Sequence, residues 1–193
     1  PFAIKDQMHR PEYQSLVALG GMLMNDNLEA VIKANDICNR YGIDTVGVGG
    51  TIAMAMECFE KGLLRKEDTD GIDLTWGNAE AIVTLVEKIA KREGFGAVLA
   101  DGAQKAAERI GKGAEKYAIA IRGKSLAYHD PRISPVLGTA NIADANPAHH
   151  MDSQITGMLS EGAPIGYDPS LQPSESDPFS SYVIGSEYHQ LLN

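Results

Sequence analysis

Few side chains in this sequence are suited to chemistry, and they lie far apart. His149 and His150 sit in "NPAHHMDSQ", just after Pro147. An imidazole titrates near neutral pH, so either ring suits proton transfer or hydrogen bonding to a carbonyl. Neighbouring residues point about 100° apart on a helix. The two rings are therefore poor co-ligands of one small metal site, and a capping or surface pair is the bland alternative. No HExxH or ExxH pattern occurs in the chain. "HDPR", residues 129–132, offers Asp130 before a proline, a turn start, and Arg132 as a clamp for an anion. An internal Asp–Arg brace of the loop explains the same residues. Glu12 in "RPEYQSL" stands where a carboxylate favours a helix start through the helix dipole. Composition alone gives it no catalytic role. Cys38 and Cys58 form no CxxC pair and fall in apolar helical patterns, so both read as core residues rather than metal ligands.

"CNRYGIDTVGVGGT", residues 38–51, raises a different chemistry, because Gly47, Gly49 and Gly50 look like a phosphate cradle. A dinucleotide fingerprint needs GxGxxG between a strand and a helix, and here position 52 is Ile. GxxxxGK[ST] is absent as well, and a helix ending at Tyr41, not a strand, comes before. The better reading is a tight helix–helix connection, with glycine permitting unusual dihedrals or close backbone approach.

The elements that must position these residues are mostly helices. A short helix is expected near 12–19. Asn27 caps the next, which carries Leu28, Val31, Ile32, Cys38 and Tyr41 at helical spacing and stops at Gly42. A further helix is expected over 50–61. Ile72, Leu74 and Trp76 alternate and predict a short extended piece. Asn78 caps a helix over 79–93 with Ile82, Val86, Ile89 and Ala90 inward. Short helices follow near 96–101 and 103–110, and "KYAIAIRG" predicts a brief strand. After residue 128, Pro131, Pro135, Pro147, Pro164, Pro169, Pro173 and Pro178 break up any long helix. "DPSLQPSESDPFS", 168–180, reads as a surface loop. The expected fold is all-α and multihelical, with at most a short β-hairpin, as a helical domain over 1–128 and a partial, loop-rich second helical domain over 129–193.

Bulk composition removes several function classes. Net charge is −9 over 193 residues and no basic run exceeds two, which argues against nucleic-acid binding. No window of 18 apolar residues exists to span a membrane. Low cysteine use fits the cytoplasm. The chain begins at Pro1, which fits a fragment of a longer protein.

Several segments in order resemble one family, the tungsten-dependent aldehyde ferredoxin oxidoreductases, in their C-terminal helical region. "RPEYQSLVALG" resembles the family's PEYE-containing stretch. "NLEAVIKANDICNRYGIDTVGVGGTIAMAMECFEKGLL" resembles its helix–DxxGLD–helix block. "EDTDGIDLTWGNAEAIVTLVEKIAKREGFGAVLADGAQKAAERIGKGAEKYA" continues the match, and "HDPR" corresponds to its DPR loop. The similarity covers residues 10–132 well and 133–155 loosely.

This resemblance implies roles for particular residues. Asn39, Gly42, Ile43 and Asp44 match the motif that contacts the pterin rings, with Asn39 replacing an acid. An amide accepts a hydrogen bond from a pterin N–H without the charge that would strengthen it. Glu12 matches the carboxylate near the metal centre and is the expected general base or water-orienting group. His150, followed by Met151, falls at the family's His–apolar step, with His149 beside it. Either would hydrogen-bond the substrate carbonyl or an oxo group. The implied parent oxidises aldehydes to acids with a tungstopterin (or molybdopterin) and a [4Fe–4S] cluster. It passes electrons to a ferredoxin-like acceptor. The family's β-rich N-terminal domain and CxxCxxxC set are not in this sequence. The chain alone is therefore expected to be inactive, holding no metal, and to partner the rest of its parent. Two other readings stay open: a diverged member reducing an aromatic acyl-CoA thioester, or a helical binding or scaffold module with no redox role.

Overall fold

Asn27 and Asn78 each accept a hydrogen bond from the backbone N–H three residues on, Ala30 at 3.0 Å and Ala81 at 3.2 Å. Each so satisfies a donor that a helix start leaves without a partner. The helices they open are α2 (Leu28–Tyr41) and α4 (Ala79–Lys91). Glu12 opens α1 (Tyr13–Leu19) by accepting from the N–H two residues on, and Asp44 opens α3 (Thr45–Glu60) by accepting from those two and three residues on. Two short helices, α5 (Phe95–Leu99) and α6 (Ala103–Ile110), follow. β1 (Ala120–Ile121) and β2 (Lys124–Ser125) pair antiparallel, Ala120 opposite Ser125, as a two-stranded hairpin. Its turn residues Arg122 and Gly123 both have positive φ, 49° and 84°, the twist a two-residue hairpin favours. The fold is multihelical with one small hairpin, as the periodicity predicts.

This computed structural model describes residues 8–129 together with Phe2, Ile4, Gly138, Asn141, Ile142 and residues 145–148. The chain divides into two compact units, Pro1–Leu126 and Ala127–Asn193. In the second, the Ala148 N–H donates to Asn141 Oδ1 at 3.2 Å and the Ala127 N–H to Ala148 O at 3.4 Å. The first holds α1 to α6. Its core is Leu19, Leu23, Ile52, Met56, Leu74, Ile82, Leu85, Val86 and Leu99, all essentially solvent-free. In it α2 packs on α4, α4 on α5, and α1 on α3. No helix among the described residues is long and apolar enough to cross a membrane.

The structure corrects three expectations. The helix expected over 50–61 begins at Thr45, so the glycine trio lies in its first turns and not in a connection. A Cβ on Gly47 would stand 3.0 Å from the Asp44 carboxylate, one on Gly50 3.2 Å from Ser125 Oγ, and one on Gly49 2.6 Å from the Ala18 carbonyl oxygen. Ile72, Leu74 and Trp76 form no strand. Side chains replace a ladder partner there: the Thr69 hydroxyl donates to Ile72 O at 2.7 Å and the Asn78 amide to Asp73 O at 2.9 Å. Leu28 and Tyr41 are 60% and 53% exposed because they end α2 beyond its packed middle, and Ala90 is only half-buried. The buried side of α2 includes Ala30, Val31, Ala34, Ile37 and Cys38.

Charged groups tie the later helices together. Asp101 accepts from Arg92, the left-handed cap of α4, at 2.8 Å and from Arg109 of α6. Arg109 also donates to the Ala97 and Val98 carbonyls, closing the end of α5. Hydrogen bonds from Arg92 and Arg109 pull the Asp101 carboxyl down to about 2 from its ordinary 3.8. Asp70, held by Lys88 and the Phe95 N–H, is lowered too.

Two outcomes follow. Gly49→Ala forces α1 and α3 apart and lowers stability by roughly 1–3 kcal/mol. A denaturant midpoint equal to that of the wild type would contradict the close contact. Below its ordinary pKa the unfolded chain takes up the Asp101 proton before the folded one does. Stability present above pH 3.8 is therefore lost as pH falls toward about 2, and Asp101→Asn removes part of that slope in denaturation curves recorded across the window.

Candidate functional site

Glu12 and the segment Asn39–Asp44 are about thirty residues apart, and helix geometry brings them to one end of the first unit. The Ser15 and Thr45 hydroxyls meet at 2.8 Å. One turn further on, Ala18 faces Gly49. Both contacts advance in the same sense along the two helices, so α1 and α3 run parallel with their N-termini together. Between them α2, 14 residues and about 21 Å long, must run back. Its C-terminus then lies beside both N-termini. Glu12, Asn39, Gly42, Ile43 and Asp44 therefore share one end, although nothing in their spacing requires it.

Each of these residues has a defined local state. Glu12 is exposed, and its Oε2 accepts from the Gln14 N–H at 2.8 Å. Its Oε1 has no hydrogen-bond partner among the described residues. Asn39 is exposed, and its side-chain amide likewise has no partner among them. Gly42 stops α2 in the left-handed region at φ 67°, a conformation that strains other L-residues. A Cβ built there would meet nothing within 4 Å, so the backbone faces open space. The Gly42 N–H and the Ile43 N–H, the latter at 2.9 Å, both donate to the Cys38 carbonyl. This fixes the turn, and Ile43 is half-buried. Asp44 caps α3 through Oδ1 to the Val46 N–H at 3.2 Å and Oδ2 to the Gly47 N–H at 3.0 Å. An ionised carboxylate has about four acceptor positions, so Asp44 keeps capacity for another donor.

Beneath this end the electrostatics are set by burial. Cys38 is solvent-free, and desolvation, helped by the negative charge of Asp44, pushes its thiol up to about 12 from 9.0. Cys58 is raised by the same desolvation. Neither thiol is a nucleophile at neutral pH. Arg40, next to Asn39, binds the buried Asp36 carboxylate at 2.8 Å. Tyr13 and Tyr41, the first residue of α1 and the last of α2, add apolar surface at this end, 56% and 53% exposed. Among the described residues no group of three or more His, Cys, Asp or Glu stands close enough to hold a metal ion.

His149, His150 and the Asp130–Arg132 loop lie outside the described residues. The Ser15–Thr45 contact is absent from the sequence reading. Two hydroxyls 30 positions apart carry no local signal, and only the packing of α1 on α3 brings them together.

The family described as "Aldehyde ferredoxin oxidoreductase, domains 2 & 3" matches residues 2–187. A tungsten-containing aldehyde ferredoxin oxidoreductase of Pyrococcus abyssi (strain GE5 / Orsay) is 37% identical over 162 residues, covering 82% of this chain and 26% of that protein. The aliphatic sulfonate oxidoreductase, WOR-like subunit, of Pyrococcus furiosus is 31% identical over 153 residues, 77% of this chain and 24% of that protein. Among solved structures, the active site complex BamBC of benzoyl coenzyme A reductase, in complex with 1,5 dienoyl-CoA, matches with a TM-score of 0.59. It is 23% identical over 84% of this chain and 25% of that one, a likeness of fold. The chain thus spans about a quarter of the length of the curated relatives it matches.

The buried thiols make a direct expectation. At pH 8 a chromogenic disulfide reagent labels Cys38 and Cys58 only as fast as the chain unfolds, and at once in denaturant. Fast labelling of the folded chain would contradict the burial. Because the folded Cys38 thiol is raised, its contribution to stability is full below pH 9.0 and is lost as pH rises toward about 12.

Proposed function

The chain belongs to the aldehyde ferredoxin oxidoreductase family, in the region of its domains 2 and 3, and on that premise we propose that it is the helical part of a larger tungstopterin iron–sulfur enzyme oxidising aldehydes. In the proposed reaction an aldehyde and water give the carboxylic acid, two protons and two electrons. A [4Fe–4S] cluster held elsewhere in the larger protein would supply the electron transfer to a ferredoxin-type acceptor in the cytoplasm. The pterin-held metal, tungsten or molybdenum, would supply the oxygen-transfer and two-electron chemistry.

The observation that carries this reading is the convergence of Glu12 with Asn39, Gly42 and Asp44 at one end of the helices. The residues present fit a flat, polar heterocycle. The Asn39 amide, which has no partner among the described residues, offers both a donor and an acceptor to a ring edge. Gly42 leaves the approach to that edge open. Asp44 can accept a further N–H while it caps α3. Its charge makes that bond stronger than the neutral one at Asn39.

Glu12 Oε1 is the atom proposed to take the proton of the attacking water, while Oε2 stays bonded to the Gln14 N–H and holds the carboxylate in place. Exposed Tyr13, Leu16, Val17 and Tyr41 suit burial against further protein. The chain's share of its relatives' length leaves room for such protein. His149 or His150 is proposed to hydrogen-bond the substrate oxygen.

In the full-length protein, Glu12→Gln keeps the metal content and lowers kcat for aldehyde oxidation by about a hundredfold or more. Near wild-type turnover would remove Glu12 from the mechanism. The same assay run with aromatic acyl-CoA thioesters tests reduction in place of aldehyde oxidation. A full-length protein carrying neither tungsten nor molybdenum would favour a helical scaffold.

A further inference from the structure

We infer that Ser15 and Thr45 are positioning residues, whose shared hydrogen bond sets the Glu12 carboxylate against the Asp44 end of α3. The inference rests on the proposed roles of Glu12 and Asp44 and adds what aligns them. Ser15 lies three residues after Glu12, one turn along the same side of α1. Thr45 follows Asp44 directly and is the first residue of α3. The hydroxyl contact, 2.8 Å, is thus one turn from one carboxylate and one residue from the other.

A second contact makes the first matter. At Gly49 the backbone of α1 already touches α3, with Ala18 O 2.6 Å and Ala18 Cβ 2.8 Å from where a Cβ would be. One contact point lets two helices pivot about it. The hydroxyl pair, a turn nearer the helix starts, is the second point that stops the pivot. α1 needs such a fixture because it has only seven residues, and three of them, Tyr13, Leu16 and Val17, face outward. Its buried apolar side comes down to Ala18 and Leu19, both toward its C-terminal end. At the end bearing Glu12, Pro11 and Gln14 are buried, and the Ser15–Thr45 bond reaches across to α3. Displacement of a catalytic carboxylate by a fraction of an ångström costs rate without unfolding anything.

The test uses the full-length metal-loaded protein with Ser15→Ala, Thr45→Val and Thr45→Ser, each with and without Glu12→Gln. Thr45→Val and Ser15→Ala should keep the metal content and melting temperature and lower kcat about tenfold at unchanged KM. Thr45→Ser, which keeps the hydroxyl, should restore it. In the Glu12→Gln background, Thr45→Val should cost nothing further, because the pair acts through Glu12. Hydrogen exchange at the Gln14 amide, read on the same samples, should speed up about tenfold in Thr45→Val and stay at the wild-type rate in Thr45→Ser. Unchanged kcat in Thr45→Val, failure of Thr45→Ser to rescue, losses that multiply with Glu12→Gln, or unchanged exchange at Gln14 would each overturn the inference. If Glu12→Gln alone leaves kcat intact, the role of Glu12 falls. The exchange result then still decides whether the hydroxyl pair holds the start of α1.

Discussion

The contact between the Ala18 backbone and Gly49 is the constraint on which the rest of this arrangement depends. It leaves no room for a side-chain carbon, so the backbones of α1 and α3 are in close contact there. With the Ser15–Thr45 bond one turn away, it makes the two helices parallel. Parallel neighbours with one helix between them in sequence force that helix to run back. The C-terminus of α2 then meets the N-termini of α1 and α3. The close contact at Gly49 and the Ser15–Thr45 bond together bring Glu12 to the same end as Asn39 and Asp44.

Electrostatics at that surface follow from helix ends rather than from a cluster of ligating side chains. Two carboxylates sit at two helix N-termini, where backbone N–H groups and the helix dipole favour negative charge. Each has an oxygen on the helix start and acceptor capacity left over. Asn39 and the open backbone at Gly42 supply neutral polar groups beside them. Such a surface is suited to orienting a cofactor and a water molecule that other parts of a protein hold. The Cys38 thiol beneath it is solvent-free and strongly raised, as a packing residue is.

Much of the fold was legible where the cause is local. Asn27, Asn78 and Gly42 act within one turn of themselves, and the helix ends they mark agree with the structure to a residue or two. The brief strand expected from the weak alternation in "KYAIAIRG" is β1, while its partner β2 carried no such signal. What failed depends on contacts that the residue pattern itself does not carry, near in sequence at Asp44, Thr69 and Asn78 and distant at Ala18 and Ser125. Gly47, Gly49 and Gly50 read as a connection because glycine inside a helix is costly unless a neighbour demands it, and those neighbours are Asp44, Ser125 and Ala18. The alternation of Ile72, Leu74 and Trp76 misled because Thr69 and Asn78 bond the backbone that a ladder partner would otherwise engage. The site residues were found from the order of matching segments, not from their chemistry. That they meet at one end could be seen only in three dimensions.

The proposed function puts this end of the helices against the pterin-bound metal of a larger enzyme. The most direct measurement is a crystal structure of the full-length protein with anomalous data collected at the tungsten absorption edge. The tungsten peak is expected on the side of the unit where α2 ends and α1 and α3 begin, with pterin atoms within hydrogen-bonding distance of the Asn39 amide and the Asp44 carboxylate. A peak on another face of the unit, with Asn39 and Asp44 in solvent, would contradict it.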